Sequence, residues 1–309
     1  MKTVFMGTPE FSAIVLKYLC DAGFVPSAAV TTPDKPAGRG YGLKESSVKR
    51  FATDRNIPVL QPERLSDEVF LKDLRNIEPD IIIVVAYGKL LPETILKLPR
   101  YGCINAHASV LPKYRGAAPM QRAIMNCETE TGVTIMKMEK GLDTGDIIHV
   151  LKTPITDSDT LESVHDRLAV LSGKALTEVL DMFSNGTAVF TPQNPSLATY
   201  AEKIGKEDEA IDFSEDALKI GAKIRALTPF PYAYFVFNGK KIKVTSAEPV
   251  ESDFTGIPGK VTDVSKNHID VTCGNGKLRI YEVFPESKRK MPVKDFINGN
   301  KISAGDFFK

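Results

Sequence analysis

Apolar runs alternate with amphipathic stretches through the first half of the chain. "KTVFMG" (2–7) has the apolar character of a strand. "PEFSAIVLKYLCDAG" (9–23) follows it with Phe11, Ile14, Val15, Tyr18 and Leu19 at helical spacing. "FVPSAAVTT" (24–32) and "IPVL" (57–60) read as further strands. "DIIIVVAYG" (80–88) is a continuous apolar run, as expected of a strand covered on both faces. Strands alternating with helices predict a parallel sheet with helices on either side. "CINAHAS" (103–109) then predicts a short strand whose C-terminal end carries Asn105, His107 and Ser109. In open α/β sheets that edge is where ligands bind.

"GVTIMKM" (132–138) and "DIIHVLKTPI" (146–155) predict an antiparallel pair, because "EKGLDTG" between them is too short for a crossover helix. Residues 159–183 have the period of a long amphipathic helix, with Asp159 as candidate N-cap and "SNG" as the stop. The Pro-, Asn- and Thr-rich stretch 191–208 reads as a linker. A helix is predicted over 212–227. Residues 233–285 then alternate short β-rich runs with Asn-Gly turns, the pattern of a small β-barrel or sandwich. The expected organisation is a domain over 1–188, a linker over 189–205 and a second domain over 206–309.

A length of 309 residues, 42% of them hydrophobic and 26% charged, suits a soluble protein with its own cores. No apolar run reaches the roughly 18 residues of a membrane span, and the first residues lack the apolar stretch of a signal peptide. A cytoplasmic location is expected, and nothing demands more than a monomer. Cys20, Cys103, Cys127 and Cys273 form no C-x-x-C pair, so they read as reduced and mostly buried thiols. The net charge of +1 conceals an asymmetry. Residues 1–218 hold 24 basic against 30 acidic side chains, whereas 219–309 hold 16 against 9. A basic C-terminal part fits either a polyanionic partner or an ordinary lysine-rich surface.

Asn105 and His107 stand two apart in a strand and so project together. An amide beside an imidazole can stabilise a forming oxyanion while a proton is moved. "GLDTGD" offers Asp143 or Asp146 as an accompanying acid. On these residues alone, a core histidine is as good a reading as a catalytic one. "MGTPEF" and "AGRGYG" lack the G-x-G-x-x-G spacing of a dinucleotide site. His149, His165 and His268 do not stand at metal-ligand spacing from any other His, Cys or acidic residue, so no metal site is expected. Residues 31–50 read as a long loop carrying Lys35, Arg39, Lys44, Lys49 and Arg50, suited to phosphate contact or simply flexible.

Taken together, "NAHASVLPKYRGAAPMQRAI" (105–124), "TGVTIMKMEKGLDTGDI" (131–147), "PDKPAGRG", "VVAYGKLLP", "IDF" and "IRALTPFP" resemble the methionyl-tRNA formyltransferase family in kind and order. The resemblance implies an α/β, Rossmann-like formyltransferase domain followed by a small OB-like β-barrel. It implies formyl transfer from 10-formyltetrahydrofolate, as co-substrate, to methionine on initiator methionyl-tRNA, without a metal. Carried onto this chain, Asn105, His107 and Asp143 become the catalytic trio. Ser109, Val110, Leu111 and Pro112 become a folate-contacting segment, and Arg39, Lys35 and Lys44 approach the tRNA. Val110 stands where the family usually has Leu, and Tyr41-Gly42 where further basic residues are frequent. Phe230 and Tyr232 replace Trp and Gly.

Overall fold

The apolar runs of the first half all enter one sheet. A computed structural model describes residues 1–37, 42–251 and 256–309. Strands β1 (Thr3–Gly7), β2 (Ala28–Val30), β3 (Val59–Leu60), β4 (Ile81–Val85), β5 (Cys103–His107), β6 (Glu130–Lys137) and β7 (Ile147–Pro154) lie in the order β7-β6-β5-β4-β1-β2-β3. From β3 to β5 the pairing is parallel, and β6 joins β5 antiparallel, with His107 opposite Thr134. Lys137 N–H donates to the Asp146 carbonyl, so β6 and β7 form the expected antiparallel hairpin. β1 and β4 are buried throughout, which is why they read as unbroken apolar runs.

Helix α1 (Glu10–Asp21) leaves β1 directly and buries Phe11, Val15, Leu16 and Leu19. At this junction a Cβ on Gly7 would lie 2.6 Å from Ser12 Cβ and 2.9 Å from the Val85 carbonyl oxygen. The glycine of "MGTP" thus serves close packing of strand and helix. Among the helices hidden from the pattern are α2 (Ser47–Asp54), capped by Ser46, and α3 (Glu68–Ile77), capped by Asp67. α2 begins inside the stretch expected to be a long loop, and a two-stranded ribbon pairing Lys35–Ala37 with Gly42–Lys44 lies within it. The cations and prolines there mask short elements made by tertiary packing of Val48 and Ala52. The long helix, α4, spans Leu161–Asn185. Its start is secured by reciprocal bonds between Thr160 and Ser163, while the Asp159 carboxylate, the expected cap, accepts from Thr156 N–H and Ser163 Oγ.

The chain divides into two compact units: 1–116 with 131–153 and 165–201, and 117–130 with 154–164 and 202–309. In the second unit β8 (Ala233–Phe237), β9 (Lys240–Val250), β10 (Val261–Val264), β11 (Ile269–Thr272) and β12 (Lys277–Pro285) form an antiparallel sheet ordered β8-β9-β12-β11-β10. Residues 305–309 close it. Gly305 N–H donates to the Val261 carbonyl and Val261 N–H to the Asp306 carbonyl beside β10, and Val236 and Lys309 exchange bonds across β8. Closure removes the free edges that an open sheet would expose. Phe308 plugs the seam, stacked on Phe235 with ring centroids 4.2 Å apart and set edge-on to Phe237.

Only Cys103 and Cys273 are buried; Cys20 is half-buried and Cys127 exposed. Burial pushes the Cys103 and Cys273 thiols up to about 12, which keeps them protonated. In a titration with a thiol reagent at pH 8, Cys127 is expected to react first. Cys103 and Cys273 should react only on denaturation; rapid reaction of all four thiols in native protein would contradict this packing.

Candidate active site

β5 delivers Asn105 and His107 to one face of the sheet, and buried Ala106 between them to the other. His107 is 6% exposed. Its Nε2 lies 2.9 Å from the Tyr114 carbonyl oxygen, which can only accept, so Nε2 carries a proton and donates it there. Nδ1 is left facing the Asp143 carboxylate, with Oδ2 at 3.6 Å. That gap is longer than a hydrogen bond. The tether that orients the ring is therefore the Tyr114 carbonyl, and Asp143 stands beside Nδ1 as an adjacent charge.

Asp143 is held from two sides. Gly116 N–H donates to its Oδ2 at 2.8 Å, and Gln193 Nε2 donates to its backbone carbonyl at 2.9 Å. Its φ of 53° places a non-glycine residue in the left-handed region, as does the 60° of Tyr114. Such conformations cost about 1–3 kcal/mol each and persist where surrounding bonds over-determine them. The loop is also tightly seated: a Cβ on Gly145 would lie 1.8 Å from the Lys137 carbonyl oxygen. Asp146, the alternative acid, has its carbonyl in the hairpin ladder with Lys137. The Asn105 side chain makes no hydrogen bond among the described residues and is half-buried, leaving its amide available to a ligand.

The segment after His107 turns tightly. Ser109 Oγ donates to the Lys113 carbonyl, Thr134 Oγ1 donates to the Ser109 carbonyl, and Leu111 N–H donates to Thr134 Oγ1. Ser109 and Leu111 are buried, whereas Val110 and Pro112 keep part of their surface open. Thr134 and Tyr114 are site-building residues that sequence reasoning missed, since one acts through a backbone carbonyl and the other from a neighbouring strand. A cavity of about 1000 Å³ elsewhere in the unit is lined by Leu96, Tyr101, Lys137, Phe183 and Phe190 among others, and by none of the trio. At the trio, by contrast, the Asn105 amide has no hydrogen-bond partner among the described residues and His107 Nδ1 lies 3.6 Å from Asp143 Oδ2.

Lys35 and Lys44 face each other in register at the base of the ribbon, both exposed. Arg39 and Tyr41 lie outside the described residues. Lys49 pairs with Asp34 and Glu45, and so is already neutralised within the fold. The remaining histidines all find carboxylates, contrary to their sequence spacing. His149 meets Glu178 at 2.6 Å, His165 meets Asp166, and His268 lies within 3.4 and 3.7 Å of Asp263 and Asp270. The last three residues bring donor atoms close enough together to hold a metal ion. Arg279, however, already grips both oxygens of Asp270 at 2.8 Å and supplies the positive charge there.

The family model described as "Formyl transferase" matches residues 1–180, and "Formyl transferase, C-terminal domain" matches 203–301. The chain belongs to the formyl transferase family. Over its whole length it is 45% identical to the methionyl-tRNA formyltransferase of Dictyoglomus turgidum, covering 99% of that protein. It is 44% identical to that of Caldanaerobacter subterraneus, with complete coverage of both. Among solved structures, it is similar to an N-formyltransferase of Helicobacter canadensis in complex with folinic acid and dTDP-3-aminofucose. The TM-score is 0.67 at 20% identity, over 91% of this chain and 98% of that one. The methionyl-tRNA formyltransferase of Clostridium thermocellum superposes with a TM-score of 0.56 at 19% identity, over 80% and 93%. At these identities the structural likeness concerns the fold. Among the described residues no helix is long and apolar enough to cross a membrane.

Proposed function

We propose that the protein transfers the formyl group of 10-formyltetrahydrofolate to the α-amine of methionine on initiator methionyl-tRNA. The observation that carries this reading is full-length similarity, at 45%, to proteins named for that activity, extending through the basic C-terminal unit. A folate donor is supported by the folinic acid of the Helicobacter canadensis structure and by tetrahydrofolic acid bound to HypX of Aquifex aeolicus, which has the same fold. Val110 and Pro112, with the turn through Ser109 and Leu111, are assigned to the donor's side of the site. All three reacting groups come from one chain, so a monomer suffices, and its place of work is the cytoplasm, with charged tRNA.

The geometry supports the following chemistry. The neutral amine nitrogen attacks the formyl carbon, a C–N bond forms, and the carbonyl electrons move onto oxygen. The free Asn105 amide donates to that oxyanion, a contribution of about 3–4 kcal/mol where one such donor has been removed elsewhere. His107 Nδ1, unprotonated in this tautomer, and Asp143 Oδ2 beside it can receive one proton. They take it from the amine on attack and return it to N10 of the folate as the C–N10 bond breaks. The Tyr114 carbonyl keeps the ring turned so that Nδ1, and not Nε2, faces the reaction.

For tRNA, the ribbon carrying Lys35 and Lys44, with Arg39 between them in sequence, is assigned to phosphate contact. Like charges directly opposite in a ribbon repel, and a polyanion relieves them. The exposed Lys288 and Arg289, with Lys240 and Lys241, give the barrel a similar character. Affinity for tRNA is expected to fall by about 10²- to 10³-fold between roughly 50 and 200 mM salt, as counterions are released. A flat salt response would remove the barrel and ribbon from this role. The activity itself is tested by offering 10-formyltetrahydrofolate with charged initiator tRNA, charged elongator tRNA, a nucleotide-linked amino sugar, or no acceptor. Rapid transfer to the initiator alone is expected. Transfer to the sugar alone, or donor hydrolysis without acceptor, would overturn the reading.

A further inference from the structure

The stretch expected to be a plain linker is bonded to the site. Gln193 Nε2 donates to the carbonyls of Asp143 at 2.9 Å and Gly145 at 2.7 Å, using both of its amide hydrogens on the acid-bearing loop. Its Oε1 accepts from Nε and Nη2 of Arg115 at 3.2 and 2.7 Å. Arg115 is 4% exposed. A guanidinium only donates and carbonyls only accept, so the amide can sit one way round, and only an amide satisfies both sides. Six residues on, Thr199 Oγ1 accepts from Tyr114 N–H at 2.8 Å, and its carbonyl accepts from Arg115 N–H at 2.9 Å. Tyr200–Ala201 then pairs in parallel with Arg115–Gly116.

These bonds converge on the two groups that handle the proton. Tyr114 presents the carbonyl that orients His107, and Gly116 presents the N–H that fixes the Asp143 carboxylate. Both Tyr114 and Asp143 have left-handed backbones, which need outside bonds to hold them. We infer that residues 193–201 form a brace that sets the separation of His107 Nδ1 and Asp143 Oδ2, with Gln193 and Thr199 as positioning residues. Gln193 seats the acid loop. Thr199 seats the tether of the imidazole. This inference rests on the proposed proton-handling pair.

The test compares Gln193→Ala, Gln193→Glu, Thr199→Val and Thr199→Ser in the full-length chain, by formyl-transfer kinetics and by ¹⁵N NMR of the His107 ring. Gln193→Glu keeps the size but turns an oxygen toward the Asp143 and Gly145 carbonyls; Thr199→Val keeps the shape but loses the acceptor. Gln193→Ala, Gln193→Glu and Thr199→Val are expected to lower kcat by about 10- to 100-fold, the range that follows small misplacement of reacting groups. KM for either substrate should change less than about twofold, because no substrate-contacting residue is touched. The ¹⁵N signals should leave the pattern of an Nε2-protonated ring in Thr199→Val and return to it in Thr199→Ser. In the Gln193 variants the Nδ1 signal should move as the carboxylate shifts. Wild-type kcat and ring signals in these variants, with only a lower Tm, would overturn the inference. If the unaltered protein formylates no acceptor, the functional reading fails. The ring signals then still decide the brace: altered signals support it, and unaltered signals refute it.

Discussion

His107→Ala is expected to lower kcat by about 10²- to 10⁴-fold, the usual loss on removing a positioned acid–base group. Binding of tRNA and of the folate donor should stay within about twofold, since the ring is buried, tethered to the Tyr114 carbonyl, and remote in chemistry from the basic surfaces. Asn105→Ala should cost about 10²- to 10³-fold, as for other oxyanion donors. In the proposed reaction Asn105 and His107 act on one tetrahedral species, so the double variant should lose far less than the product of the two single losses. Single-turnover rates measured with saturating donor and charged initiator tRNA check this. A His107→Ala enzyme with near-normal single-turnover rate would place the proton transfer elsewhere and leave the residue a structural role.

Phe308→Ala has the largest expected effect on stability. The ring is 2% exposed and sits against Phe235 and Phe237, in the segment that joins β10 to β8. Truncating a buried phenylalanine costs about 3–5 kcal/mol through lost transfer energy and the cavity left behind. Here the loss also loosens residues 305–309 and reopens two strand edges, so the effect belongs at the upper end. For a domain near 100 residues this lowers Tm by roughly 12 °C or more. Calorimetry should resolve it as an earlier transition, with weakened tRNA binding above that temperature. Phe308→Leu, which keeps most of the volume, should lose much less. An unchanged melting profile in Phe308→Ala would mean that the seam contributes little to closure.

Much of the architecture was legible along the chain because it is carried by local periodicity. β4 is an unbroken apolar run because both its faces are covered, and α1 repeats its buried residues every three or four positions. α2 was not legible: its eight residues bury only Val48 and Ala52, and the surrounding cations, prolines and glycines look like a loop. The Ser46 cap was the one available signal. Residues 191–208 misled in the opposite direction. Their composition lacks any period because their order comes from bonds to a distant turn, and a bond between Thr199 and Tyr114 leaves no periodic trace.

The chain's own pattern determined the parallel sheet, the antiparallel hairpin after it, the β-rich C-terminal part and the presence of Asn105, His107 and Asp143 in two short polar motifs. These depend on which side chains are apolar and on spacing within a few residues. Tertiary structure alone decided that a backbone carbonyl, and not Asp143, orients His107, that Nδ1 faces the acid across 3.6 Å, and that Gln193 holds the acid loop from 50 residues away. Backbone carbonyls and N–H groups are common to nearly every residue, so which of them meet is set by long-range packing and the register of neighbouring strands.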